Sequence, residues 1–119
     1  MPKHILIVED EPNIIESLSF LLERAGYFVS SEKDGSMAMG RIHAHKPDLI
    51  ILDVMLPNRS GFDILRDIGK MVDGPHVLML TAKGQARDRQ TAEKIGVTRF
   101  MTKPFANVEI IETVQDILA

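Results

Sequence analysis

The 119-residue sequence contains no cysteine, which excludes a disulfide framework and thiol chemistry. This composition is compatible with a reducing cytoplasm, the location that we expect. No apolar run approaches the ~20 residues that a membrane-spanning helix needs, so we expect no membrane span. The first strand-like run starts at His4, and we expect no signal peptide ahead of it.

Basic clusters, repeats and glycine-rich loops are also missing. Lysine and arginine are scattered and the net charge is −3, so we expect no direct nucleic-acid binding by this domain. No repeat, low-complexity segment or linker divides the chain, which predicts one domain over residues 1–119. Neither G-x-G-x-x-G nor G-x-x-x-x-G-K follows the first apolar run, which disfavours a nucleotide or flavin site.

The most informative stretch that is present is a run of four large apolar residues, 49–52, that ends on Asp53. A short, continuously apolar run is typical of a strand that is buried on both faces of a parallel sheet. The last side chain of such a strand lies at the carboxyl edge of the sheet, where open α/β folds bind ligands. We therefore expect Asp53 to be the reactive residue, although an acid can also simply end a strand.

Five such strand-like runs alternate with five helix patterns. The strands are predicted at 4–8, 27–31, 49–53, 76–80 and 98–102, with a turn at Asp34-Gly35. The fourth helix, 85–95, has only Ala86, Ala92 and Ile95 to face a core, so we expect it to dock weakly. The last helix carries an apolar stripe that includes Val108. The alternation predicts an α/β fold with a doubly wound parallel sheet and helices on both faces.

Polar residues with complementary chemistry follow four of these strands. Glu9 and Asp10 follow the first, Asp53 ends the third, Thr81 follows the fourth and Lys103 follows the fifth. In the strand order 2-1-3-4-5 the first and third strands are neighbours, so the three carboxylates would crowd together and repel. Mg²⁺ suits such a group of oxygens and can share its coordination with a phosphate. The set predicts phosphoryl transfer to an aspartate nucleophile.

The joint order of these motifs resembles the receiver domain of two-component response regulators, which has a flavodoxin-like, CheY-like fold. The resemblance covers the whole chain and rests on four segments: 7–11, 47–61 with Met55, Pro57 and Gly61, 80–82, and 103–105. It implies a signalling phosphoacceptor rather than a conventional enzyme. It also implies that a sensor histidine kinase or a phosphotransfer protein phosphorylates Asp53.

The resemblance implies a role for each matching residue. Mg²⁺ would be bound by Asp10, by Asp53, by the backbone carbonyl of Met55 and, through water, by Glu9. Thr81 and Lys103 would contact the phosphoryl group, and the Lys103–Pro104 peptide bond would be cis.

The resemblance also places an aromatic switch at Phe100, which would turn inward when Thr81 moves to the phosphate. Phosphorylation would then shift the face formed by helix 4, strand 5 and helix 5. That shift would control a downstream protein or output domain, and this face also allows a dimer. Met55 and Lys83 flank the site and are candidates for tuning hydrolysis.

Two positions depart from the family pattern. Glu9 stands where the family often has aspartate, which leaves metal binding intact but affects its geometry. The segment 96–99 replaces a small and acidic stretch, which changes the charge on the signalling face.

Several alternatives stay open at this point. Phe100 can be a core residue, Thr81 a helix cap and the Lys103-Pro104 pair an ordinary turn. A phosphohydrolase with an aspartyl-phosphate would want a second acid beside its nucleophile and a cap domain, for which the chain is too short. A receiver-like module that is never phosphorylated would not need the acids, Thr81 and Lys103.

Overall fold

The computed structural model describes residues 2–82 and 85–119, in which strands and helices alternate along the chain. The strands are β1 (His4–Val8), β2 (Phe28–Glu32), β3 (Leu49–Asp53), β4 (His76–Ala82) and β5 (Arg99–Lys103). The helices are α1 (Pro12–Arg24), α2 (Gly35–His45), α3 (Gly61–Gly69), α4 (Ala86–Ile95) and α5 (Asn107–Leu118). Over the described ranges, no helix combines the length and the apolar character that crossing a bilayer requires.

The five strands form one parallel sheet in the order β2-β1-β3-β4-β5. This confirms the predicted α/β class, the doubly wound arrangement and the strand order. All five residues of β3 are buried, because the strand has neighbours on both sides and helices over both faces. The continuous apolar sequence of β3 is the expected consequence.

Alternating side chains along the strands pack into two separate core layers. One layer lies under α2, α3 and α4 and includes Leu52 and Met79. The other lies under α1 and α5 and includes Ile51 and Met101. The same alternation assigns the residues at the strand ends to a layer: 9, 53 and 103 continue the α1/α5 layer, whereas 81 continues the α2/α3/α4 layer.

The turn between β3 and α3 depends on a close backbone approach at Gly61. Its N–H donates a hydrogen bond to the Val54 carbonyl at 2.9 Å. A Cβ atom at this position would overlap the backbone carbonyl oxygen of Asp53. Only glycine therefore lets the start of α3 lie directly against the end of β3.

The predicted turn at Asp34-Gly35 is instead the start of α2. Asp34 is the N-cap, and its Oδ1 accepts hydrogen bonds from the Ser36 backbone N–H at 2.8 Å and from the Ser36 hydroxyl at 2.7 Å. Its Oδ2 accepts a hydrogen bond from the Asn58 side chain at 3.1 Å. The Asp-Gly pair is common in turns, but aspartate is equally favoured at helix N-caps, and here the capping role prevails.

Two predicted apolar contacts, those of Ala86 and Val108, are wrong, and two, those of Ala92 and Ile95, are confirmed. Ala86 is exposed and Ala92 is the buried residue of α4, a helix that the structure describes in full. Val108 is 67% exposed, and Ile110 takes its place in the core. The apolar spacing of α5 fits either residue, since Val108 lies three residues before Ile111 and Ile110 lies four residues before Val114. Only the docking angle of α5 on the sheet decides between them.

A buried carboxylate at the end of β2, Glu32, forms an ion pair with α2. Glu32 is 8% exposed, and its Oε1 accepts a hydrogen bond from Arg41 at 2.8 Å. Burial alone would raise the pKa of Glu32, but hydrogen bonds from Arg41 and from the backbone outweigh it and hold the pKa below its usual value of 4.5.

We predict that Arg41→Met lowers the free energy of unfolding by about 1–2 kcal/mol near neutral pH, because Glu32 is left buried without its cation. A depressed carboxyl pKa contributes stability above the unfolded pKa that is lost as the pH falls through the folded one. The difference between wild type and variant should therefore shrink in acid. Urea titrations over pH measure it. The control is Arg66→Met, which breaks the exposed pair with Asp63; an equal loss there would contradict the prediction.

Candidate functional site

The carboxyl ends of β1, β3 and β5 bring two acids and a lysine into contact. Lys103 Nζ lies 2.6 Å from Glu9 Oε1 and 3.3 Å from Asp53 Oδ1. Glu9 is 1% exposed and Asp53 is 6% exposed. The three side chains project from the same face of the sheet, as the alternation along their strands requires, so Lys103 reaches across the end of β4 to join them.

Asp10 completes a group of three carboxylates with the same two acids. One carboxylate oxygen from each of Glu9, Asp10 and Asp53 lies within 4.8 Å of the others. Glu9 is already engaged by the protein: Oε1 contacts Lys103, and Oε2 accepts hydrogen bonds from the backbone N–H groups of Asp10 at 2.9 Å and Glu11 at 3.3 Å. Asp10, by contrast, is exposed at the mouth of the site.

The crowding of charge shifts the pKa values in opposite directions. Burial, and then repulsion from Glu9, raise the pKa of Asp53 to about 7, although Lys103 opposes them. Burial alone would raise the pKa of Glu9, but hydrogen bonds from Lys103 and Asp53 hold it below its usual value. Burial alone would lower the pKa of Lys103, but the hydrogen bond to Glu9 and the charge of Asp53 raise it. One lysine thus leaves part of the negative charge uncompensated.

The donor set fits a hard divalent cation. The three closely placed ligands are carboxylate oxygens, the type that Mg²⁺ prefers, and one of them faces solvent. A cation there would remove the repulsion that raises the pKa of Asp53. The residues present can therefore hold a metal ion at the mouth of the site.

Thr81 and Phe100 lie on the other side of the sheet, facing α4. Thr81 is 2% exposed, and its hydroxyl donates a hydrogen bond to Asp88 Oδ2 at 2.7 Å. Phe100 is half-buried against the α2/α3/α4 layer, and the Arg89 guanidinium lies 6.0 Å from its ring centre. The sequence reasoning missed Asp88, because the run 87–91 contains no large apolar residue and predicts only a weakly docked helix. The signal was a carboxylate in the first turn of a helix that follows Thr81.

The remaining predicted residues line the same edge of the sheet. The Lys103–Pro104 peptide bond is cis. Met55 has an exposed side chain and follows Val54, whose N–H donates a hydrogen bond to the Leu80 carbonyl at 3.2 Å. Pro57 accepts a hydrogen bond from the Gly35 N–H through its carbonyl at 3.0 Å, which ties this loop to α2. Lys83 lies outside the described residues.

The arrangement of acids and lysine at the edge of a 2-1-3-4-5 sheet coincides with a family match over most of the chain. Residues 5–115 match the family model of the response regulator receiver domain. The chain belongs to this family. It is therefore the receiver domain of a two-component response regulator, and receiver domains are signalling phosphoacceptors rather than classical enzymes.

Known proteins resemble this receiver domain along almost its whole length. It is 40% identical over 118 residues to the alkaline phosphatase synthesis transcriptional regulatory protein PhoP of Bacillus subtilis (strain 168). That match covers 99% of this chain and 49% of the relative, so the chain spans about half of the relative's length.

Solved structures extend the likeness to three dimensions. A protein of Chloroflexus aurantiacus J-10-fl assigned as a response regulator has a TM-score of 0.94 at 31% identity, covering 99% of this chain and 98% of that one. The BeF₃-activated N-terminal receiver domain of Klebsiella pneumoniae RstA has a TM-score of 0.92 at 25% identity, covering 98% of each chain. The predicted CheY-like fold is thus confirmed.

The raised pKa of Asp53 predicts that the metal-free domain loses stability as the pH rises. Between the ordinary pKa of 3.8 and the folded value of about 7, the folded chain keeps a proton that the unfolded chain has released. The free energy of unfolding therefore falls through this window. We expect Asp53→Asn to remove the loss and to raise the free energy of unfolding by about 1–3 kcal/mol at about pH 8.

Denaturant titrations without divalent cations measure this effect. Asp73→Asn, at an exposed carboxylate in the α3–β4 loop, is the matched control and should change stability by less than about 0.5 kcal/mol. An Asp53→Asn variant that was no more stable than wild type above neutral pH would show that the ionised Asp53 carboxylate does not destabilise the folded domain.

Proposed function

We propose that this receiver domain is a phosphoacceptor switch in which Asp53 receives a phosphoryl group from a sensor histidine kinase or a phosphotransfer protein. The observation that carries the proposal is the placement of a buried aspartate between a lysine and two further acids at the carboxyl edge of the sheet. A carboxylate that only ended a strand would not need a lysine 3.3 Å away.

The transfer is a displacement at phosphorus. A carboxylate oxygen of Asp53 forms a new O–P bond while the P–N bond of a phosphohistidine, or the P–O bond of acetyl phosphate, breaks. The bonding electrons leave with imidazole, which takes up a proton, or with acetate. The product is an acyl phosphate on Asp53.

The surrounding side chains position and neutralise the transferred group. Lys103, already in contact with Asp53, would contact a phosphoryl oxygen. Asp10, Asp53 and the Met55 carbonyl would hold Mg²⁺. Glu9 would act through water, because both of its carboxylate oxygens already accept hydrogen bonds from the protein. When bound, Mg²⁺ would neutralise negative charge on the phosphoryl oxygens.

The response would pass through Thr81 and Phe100. Thr81 is one residue beyond Leu80, the register partner of Asp53. A small movement would therefore bring the Thr81 hydroxyl to a phosphoryl group on Asp53. Movement of Thr81 would let Phe100 turn inward and shift the surface formed by α4, β5 and α5. The thin apolar contact of α4, with Ala92 as its buried residue, makes that helix the easiest to move.

Partners follow from this role and from the relatives. The Bacillus subtilis relative is a transcriptional regulatory protein about twice as long as this chain. We propose that the α4-β5-α5 surface controls a downstream protein or an output domain, either directly or through a dimer. The proposal keeps the expected cytoplasmic location and needs no direct nucleic-acid binding by this domain.

Labelling with a small phosphodonor tests the proposed acceptor. With Mg²⁺ and acetyl phosphate, intact-mass spectrometry should show one added phosphoryl group on wild type and on Asp73→Asn, and none on Asp53→Asn. The reason is that, among the described aspartates, only Asp53 both contacts a lysine and belongs to the metal-binding acid group. Mg²⁺-dependent labelling that persisted in Asp53→Asn would refute the proposal.

The neighbouring acids Asp10 and Glu11 give a matched test of the metal site. Asp10→Asn should weaken Mg²⁺ binding by about tenfold or more, since a charged ligand is lost. Glu11→Gln should change it by less than about twofold, because Glu11 is exposed and its side chain is not in the carboxylate group. Isothermal titration calorimetry measures both, and equal effects of the two changes would count against the assignment of Asp10.

A further inference from the structure

The Thr81 hydroxyl is already committed to a partner in this structure. It donates to Asp88 Oδ2 at 2.7 Å, a short charge-assisted hydrogen bond in a place where Thr81 is only 2% exposed. Asp88 sits in the first turn of α4 and its N–H donates to the Gln85 carbonyl at 3.0 Å, so its backbone is fixed by the helix start. The bond joins the end of β4 directly to α4.

A hydroxyl has a single proton to donate. Thr81 can therefore donate to Asp88 or to a phosphoryl oxygen on Asp53, but not fully to both. The two acceptors lie on different sides: Thr81 continues the α2/α3/α4 layer, as its neighbour Met79 does, whereas Asp53 continues the α1/α5 layer. Donation to a phosphoryl group thus requires the Thr81 side chain to leave Asp88.

We propose that Asp88 is a positioning residue that holds the Thr81 hydroxyl toward α4 in the unphosphorylated domain and competes with the phosphoryl group for it. This inference rests on the proposed function of Asp53. In this proposal Asp88 opposes activation, and it loses its hydrogen bond with Thr81 when Asp53 is phosphorylated.

Loss of the Thr81 bond has consequences along α4. The helix has one buried residue, Ala92, and half-buried Ile95 beside it, so the partly buried hydrogen bond at its first turn adds to a small apolar attachment to the sheet. The next residue, Arg89, lies over the Phe100 ring. Release of Asp88 therefore frees the helix turn that covers Phe100, which links the hydroxyl to the aromatic side chain.

A competing explanation is that Asp88 acts only as an acid in the first turn of a helix, where it favours the positive end of the helix dipole. The two explanations differ in their dependence on Thr81. Competition for the hydroxyl disappears when the hydroxyl is absent, whereas the dipole effect does not. They also differ for Asp88→Asn, which keeps an acceptor oxygen but loses the charge.

Beryllofluoride binding in the presence of Mg²⁺, followed by ¹⁹F nuclear magnetic resonance, provides the test. Asp88→Ala should tighten binding by about three- to tenfold, the size of one hydrogen bond that no longer has to be broken. Asp88→Asn should have a smaller effect. In a Thr81→Val background, Asp88→Ala should change binding by less than about twofold. Asp63→Ala, which removes an exposed first-turn acid from α3, is the control and should leave binding unchanged.

An equal gain from Asp88→Ala in the wild-type and Thr81→Val backgrounds would overturn the competition, and so would no gain in wild type. The proposed function fails separately, if wild type does not bind beryllofluoride with Mg²⁺. In that case the competition falls with it. The Thr81–Asp88 contact can still be measured in the free protein. Hydrogen exchange along α4 is compared in wild type, Asp88→Ala, Thr81→Val and the double variant, and a non-additive effect of the two changes reports the contact.

Discussion

The site at the edge of the sheet depends on the burial of two carboxylates, Asp53 and Glu9, that share a single lysine, Lys103. Two acids at the ends of neighbouring parallel strands repel each other, and burial makes that repulsion strong. Lys103 contacts both, yet a single positive charge leaves the pKa of Asp53 raised to about 7. This excess of negative charge is what a bound cation would neutralise.

The fold brings these charged groups together on one side of the sheet and places Thr81 on the other. The strand order 2-1-3-4-5 places β1 beside β3, and alternation along the strands directs Glu9, Asp53 and Lys103 to one layer. The same alternation turns Thr81 to the layer of α4. Asp53 and α4 are thus on opposite sides of one sheet, and Thr81 at its edge lies between them.

Much of this could be predicted from residues alone. A buried parallel strand is continuously apolar, so β3 and the position of Asp53 at its end were visible in the sequence. The strand order 2-1-3-4-5 makes the first and third strands neighbours, which placed the acids together. The predictions failed where two residues fit one pattern equally. Val108 and Ile110 both suit the spacing of α5, and Asp34 suits a turn as well as an N-cap. The Thr81–Asp88 bond escaped because it joins two elements whose relative position no local pattern encodes.

The most direct measurement of the central claim is the location of the acyl phosphate in the chain. Wild-type protein is phosphorylated with Mg²⁺ and acetyl phosphate and then reduced with borohydride, which converts a phosphorylated aspartate to homoserine. Peptide mass spectrometry should find homoserine at position 53 and aspartate at position 10. Homoserine at position 10, or at another aspartate with residue 53 unchanged, would contradict the account.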